Sequence, residues 1–122
     1  MSIDDINYQN APFPVREDLL LSHQRAWQRL AAPGTWLTGE QRVAVAQETR
    51  QAGHCRLCKK VSERPESDDS IPRHEPGTTL DQTWVEVVHR VRFDASRLSS
   101  AWLNSQLESG LMVAEYVEIV GV

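Results

Sequence analysis

The chain has 122 residues, 40% of them apolar and 25% charged, with a formal net charge of -4. That composition describes one ordinary globular domain with a modest core, and its acidic balance argues against a general nucleic-acid or anionic-membrane partner. No apolar run approaches the roughly 20 residues of a membrane-spanning helix.

Two cysteines are too few for a secreted disulfide scaffold. The start Met1-Ser2-Ile3-Asp4-Asp5 is acidic and lacks an apolar signal core. A reducing, cytoplasmic setting is therefore expected.

Residues 1–15 read as irregular, because Asn7, Asn10, Pro12 and Pro14 interrupt any pattern. The domain proper is expected over 16–122. A helix is expected over 17–32, where Leu19, Leu20, His23, Trp27 and Leu30 recur at helical spacing and Pro33-Gly34 follows as a stop. His23, on that stripe, reads as a structural histidine.

Thr38-Gly39-Glu40-Gln41 fits a capping box, with Thr38 as N-cap and Gln41 reaching back. The helix behind it, 40–52, places Ala44, Val45 and Ala52 on one arc with Glu48 in the middle. A carboxylate there is costly to bury without a partner. Either the arc is half exposed and Glu48 reaches solvent, Arg42 or Arg50, or Glu48 is a buried acid or base just before the cysteines.

The helix runs into His54-Cys55-Arg56-Leu57-Cys58-Lys59-Lys60. A Cys-x-x-Cys pair can close a small disulfide, share a metal, or act as a thiol with its resolving partner. The cations around it favour thiolate over thiol. A c-type haem is excluded here, because Lys59 stands where the histidine would have to follow.

One or two further helical turns are expected from Arg56. After them comes a flexible loop or lid over about 62–78, broken by Pro65, Pro72 and Pro76-Gly77 and lacking periodicity. His74, within that loop, reads as solvated. Thr78 and Thr79 offer the next N-cap. Leu80, Trp84, Val87, Val88 and Val91 form one apolar face of the helix behind it, with His89 on the opposite side between Val85 and Phe93. That helix should lie buried between neighbours, with His89 as a core or interface histidine.

A short helix is expected over 100–108, stopped by Gly110, and another over 113–122. The last one ends inside an apolar pattern, so that end is expected to pack into an oligomer or to belong to a longer helical domain. The sum is an all-α domain of five or six helices, possible as a partial domain completed by oligomerisation.

Two stretches carry a family resemblance. The first is Trp36-Leu37-Thr38-Gly39-Glu40-Gln41-Arg42-Val43-Ala44-Val45-Ala46-Gln47-Glu48-Thr49-Arg50 followed by His54-Cys55-Arg56-Leu57-Cys58. The second is Val88-His89-Arg90-Val91 with Asp94 and Arg97-Leu98, then Glu115-Tyr116-Val117-Glu118-Ile119-Val120-Gly121. Together they resemble the alkylhydroperoxidase D and carboxymuconolactone decarboxylase-like family, in its peroxidase-related branch.

The resemblance implies an all-helical, oligomeric domain that reduces hydroperoxides. Cys58 would attack the peroxide and Cys55 would resolve it as a disulfide. A thiol or dithiol would be the reductant, and no cofactor or metal would be needed. The family's proton-relay glutamate and histidine positions hold Val43 and Ser62 here. Glu48 is the expected replacement for the glutamate, and His54 or His89 for the histidine.

Two alternatives stand beside this reading. One is a zinc-binding module held by Cys55, Cys58, His54 and His89, or His74; no second Cys-x-x-Cys supports it, and adjacent His54 and Cys55 make poor simultaneous ligands. The other is a non-catalytic interaction or redox-sensing protein.

Overall fold

The computed structural model describes residues 6–63 and 73–122. Among them all regular structure is helical: α1 (Glu17–Ala31), α2 (Gly39–Gln51), α3 (Arg56–Glu63), α4 (Gln82–Phe93), α5 (Ser100–Glu108) and α6 (Val113–Gly121). Short 3-10 turns at Ala52–His54 and Ala95–Arg97 follow α2 and α4. The all-α expectation holds. Residues 1–5 and 64–72 lie outside the described residues, and with them much of the expected irregular start and of the expected loop.

Local chemistry sets the helix ends. Thr38 Oγ1 accepts the Gln41 N–H at 3.1 Å and Gln41 Oε1 accepts the Thr38 N–H at 2.8 Å, closing the capping box. Gly110 has φ +108°, a left-handed conformation that glycine adopts without strain, and it ends α5.

The start of α4 differs from expectation. Asp81, not Thr78 or Thr79, is its cap, accepting the Thr83 N–H at 2.8 Å. Aspartate is among the best N-cap residues, and the Thr78 hydroxyl is committed elsewhere, as described below.

α4 is the centre of the domain and packs on α2, α3 and α6. Its buried residues are Val85, Val87, Val88 and His89, so it is covered on two sides, as its two-faced pattern predicts. Val87 and Val88 join Leu37, Val45, Leu111 and Ile119 in the main core, edged by Trp84, Trp102 and Tyr116. A second, smaller cluster joins Ala52, Cys55 and Cys58 to Leu57 and Phe93. The cysteines thus sit in the angle between the end of α2, the start of α3 and one side of α4.

Glu118 ties α6 to the start of α2 and the residues just before it. It accepts N–H groups from Trp36 (2.8 Å) and Leu37 (3.1 Å) and pairs with Arg42 at 2.9 Å. α1 lies outermost against α2 and buries no residue fully. His23 is exposed and bonds the Tyr8 hydroxyl. It turns aside from the half-buried line of Leu20, Trp27 and Leu30, so its place on the packing stripe is corrected.

Candidate functional site

Cys55 follows the 3-10 turn in an extended conformation and stands immediately before α3. Cys58 falls in the first turn of α3. Both are thiols and both are buried, at 0% and 1% exposure. The start of α3 aims the Cys58 backbone N–H at the first sulfur, as helix N-termini do. From the far side, the Glu75 N–H donates to Cys55 Sγ at 3.3 Å.

Two histidines close on the sulfurs. His89, from α4, places Nδ1 3.3 Å from Cys58 Sγ. His74, from the segment before α4, places Nδ1 3.3 Å from Cys58 Sγ and 3.7 Å from Cys55 Sγ. The two imidazole rings lie 4.7 Å apart. His89 is fully buried and His74 nearly so. The solvated reading of His74 is therefore corrected: the chain after residue 72 folds back over the thiols, and sequence periodicity carries no signal for that closure.

Each imidazole is held from behind by a carboxylate. His89 Nε2 lies 2.7 Å from Glu48 Oε1, and His74 Nε2 lies 3.3 Å from Glu86 Oε2. A carboxylate accepts, so it fixes a proton on Nε2; Nδ1 then faces sulfur as a lone pair on a neutral ring and as an N–H donor on a protonated one. Glu48, 0% exposed, settles the question its position raised. It is the buried acid, and its remaining lone pairs accept the Thr78 hydroxyl at 2.6 Å and the Gly77 N–H at 3.1 Å. Gly77 needs to lack a side chain, because a Cβ there would lie 2.3 Å from Gln51 Cγ. Glu86 also accepts the Trp102 indole N–H at 3.2 Å.

These neighbours separate the two thiols electrostatically. Burial opposes ionisation of Cys55, but the N–H groups of Cys58 and Glu75 and the contact with His74 outweigh it and bring its pKa below the ordinary thiol value. Burial pushes Cys58 up to about 12, and the adjacent Cys55 thiolate adds to the rise; two negative sulfurs so close repel. Burial likewise lowers His89, only partly offset by Glu48. For His74 burial also acts downward, but the bond to Glu86 and its charge prevail and the net shift is upward.

Of the residues singled out in the sequence, Cys55, Cys58, Glu48 and His89 come together. His54 does not: the 3-10 turn leaves its side chain exposed, and it stands outside the group formed by Cys55, Cys58, His74 and His89. Its adjacency to Cys55 in sequence is not adjacency of side chains. Sequence reasoning gave Glu86 no role, and Gly77 and Thr78 only those of a loop break and a cap. Glu86 had one available signal, its position three residues before His89 on the same helix.

The cluster is thus a buried dithiol flanked by two carboxylate-backed imidazoles, an arrangement suited to thiol redox chemistry or to holding a metal ion. No helix among the described residues is long and apolar enough to cross a membrane. No family model, no curated protein and no solved structure matches this chain.

Proposed function

We propose that the protein is a dithiol peroxidase of the alkylhydroperoxidase D-like kind, reducing a hydroperoxide at Cys58 and resolving it with Cys55. The observation that carries this reading is the chain Glu48–His89–Cys58. Its links are 2.7 Å and 3.3 Å, the arrangement in which a base oriented by a third group activates a nucleophile. It supplies from Glu48 and His89 the proton relay that the family pattern takes from other positions.

The steps balance as follows. His89 Nδ1 takes the Cys58 thiol proton while Glu48 stabilises the resulting imidazolium. The Cys58 thiolate attacks the terminal peroxide oxygen and the O–O bond breaks. The departing alkoxide takes the proton from His89 and leaves as an alcohol, and Cys58 becomes a sulfenic acid. The Cys55 thiolate then attacks the Cys58 sulfur and forms the disulfide, expelling hydroxide, which takes a proton from His74 and leaves as water. An external thiol or dithiol returns two electrons and two protons.

His74, in reach of both sulfurs, pairs with the Cys55 thiolate and gives its proton to the hydroxide that leaves Cys58. Both sulfurs are covered in the resting fold, so the segment bearing His74 and Glu75 must draw aside to admit peroxide and reductant.

The apolar side chains that α6 exposes, Val113, Val117 and Val120, support the oligomer that goes with this reading. A cytoplasmic setting belongs to it too, since the dithiol must be kept reduced.

The test is peroxide-dependent turnover with dithiothreitol as reductant, comparing the full chain with Cys58→Ser and Cys55→Ser. Cys58→Ser should be inactive, and Cys55→Ser should stop at a sulfenic acid that a dimedone-type probe captures. Full activity in Cys58→Ser would overturn the assignment.

A further inference from the structure

We infer that the reduced centre is also a closed binding site for one zinc ion, held by Cys55 Sγ, Cys58 Sγ, His74 Nδ1 and His89 Nδ1. The inference stands on the geometry of the four donors and is independent of whether the thiols turn over peroxide.

With zinc–sulfur bonds of about 2.3 Å and zinc–nitrogen bonds of about 2.0–2.1 Å, the edges of a tetrahedral S2N2 site come to about 3.3–3.8 Å. Three donor separations here are 3.3, 3.3 and 3.7 Å. All four donor atoms lie within 4.8 Å of one another. A contraction of up to about 1 Å in the widest separation brings all four donors onto a common centre.

Three further features point to a cation. First, both imidazoles turn the same nitrogen inward while a carboxylate holds the other, Glu48 on His89 and Glu86 on His74. This is the outer hydrogen bonding that orients metal-bound histidines and raises their donor strength. Second, all four ligands are buried. A divalent ion with two thiolates forms a neutral unit, whereas the same two thiolates without it would be an uncompensated double charge in the interior. Third, the donor set is two soft thiolates and two imidazoles, which favours zinc over oxygen-seeking magnesium or calcium. All four positions are filled by protein, so the ion is a closed structural one and not a water-activating centre.

Adjacent His54 and Cys55 make poor simultaneous ligands, which counts against a site that uses His54. With His74 in its place that objection disappears. The metal-bound and disulfide forms exclude each other, because both need the same sulfurs. A hydroperoxide that takes two electrons from the two thiolates leaves an alcohol, water after uptake of two protons, a Cys55–Cys58 disulfide and a released zinc ion. Zinc therefore closes the reduced centre, and oxidation opens it.

The experiment uses the full chain, reduced and stripped of metal under anaerobic conditions. Zinc is titrated against a chromogenic chelator, and cobalt(II) serves as a spectroscopic probe. Expected are one zinc per chain and, for cobalt, an intense visible spectrum of tetrahedral type with thiolate charge-transfer bands. Glu86→Gln, which leaves every ligand in place, should weaken zinc binding about 10- to 100-fold. His74→Asn should weaken it further, and exposed His54→Asn should leave it unchanged. Circular dichroism checks that each variant is folded. Absence of stoichiometric zinc, a weak octahedral cobalt spectrum, or folded His74→Asn that binds like the parent would each overturn the inference. None of these readouts uses peroxide, so they stand or fall apart from the peroxidase reading.

Discussion

Replacing Glu48 by glutamine is the most informative single change. The carboxylate accepts from His89 Nε2, the Thr78 hydroxyl and the Gly77 N–H. Glutamine has nearly the same shape but brings one acceptor and one donor. If the amide oxygen stays with Thr78 and Gly77, its NH2 group meets the His89 Nε2–H donor to donor. The imidazole escapes by moving its proton to Nδ1, which faces Cys58 and then no longer accepts the thiol proton.

Loss of a general base at this position costs about 10²- to 10⁴-fold in rate. The stability cost is one imperfectly satisfied buried group, about 1–3 kcal/mol, or about 4–12 °C in melting temperature for a domain of this size. Glu48→Ala strands the same donors with no acceptor and should cost more than Glu48→Gln. The assay pairs peroxide turnover in Glu48→Gln with a thermal melt. A folded Glu48→Gln protein that turns over peroxide like the parent would refute the relay.

Other outcomes follow from the same geometry. Leu37→Ala, in the main core, should lose about 2–5 kcal/mol in denaturant unfolding while leaving thiol reactivity intact. Gly77→Ala should disturb the Gln51 and Glu48 contacts and lower both melting temperature and turnover, whereas Gly121→Ala, which has open space around it, should lower neither. Arg97 and Arg90 hold the Asp94 carboxyl below its ordinary pKa. A carboxyl depressed in the folded state contributes stability above its unfolded value, about 3.9, and loses it as pH falls through the lower folded value. Asp94→Asn should therefore melt lower than the parent near neutrality, and the gap should close as pH drops below about 4.

Much of the frame was legible because it rests on local chemistry. Thr38 and Gln41 form their capping box, Gly110 stops α5, and the two apolar sides of α4 are both covered. Glu48 was legible as a question: a carboxylate in the middle of an apolar arc must be solvated or partnered, and it is partnered. His89, opposite the main apolar face of α4, was legible as buried but not as the neighbour of Cys58.

His74, Gly77 and Thr78 were not legible as parts of the site. Their roles depend on a segment without periodicity closing over α3 and α4, and its position is fixed by single hydrogen bonds rather than by a repeating apolar face. The same gap made His54, next to Cys55 along the chain, look better placed than it is. The thiol pair itself was visible. The two carboxylate–imidazole arms that give it chemistry come from residues distant in sequence.

The central claim is that Cys55 and Cys58 form one redox unit served by Glu48 and His89. The most direct measurement is the free-thiol count and intact mass of the reduced, metal-free chain after one equivalent of an organic hydroperoxide. The account predicts rapid loss of both thiols together, a mass lower by two hydrogens, and full recovery with dithiothreitol. Thiols that persist, or that oxidise no faster than free cysteine, would contradict it.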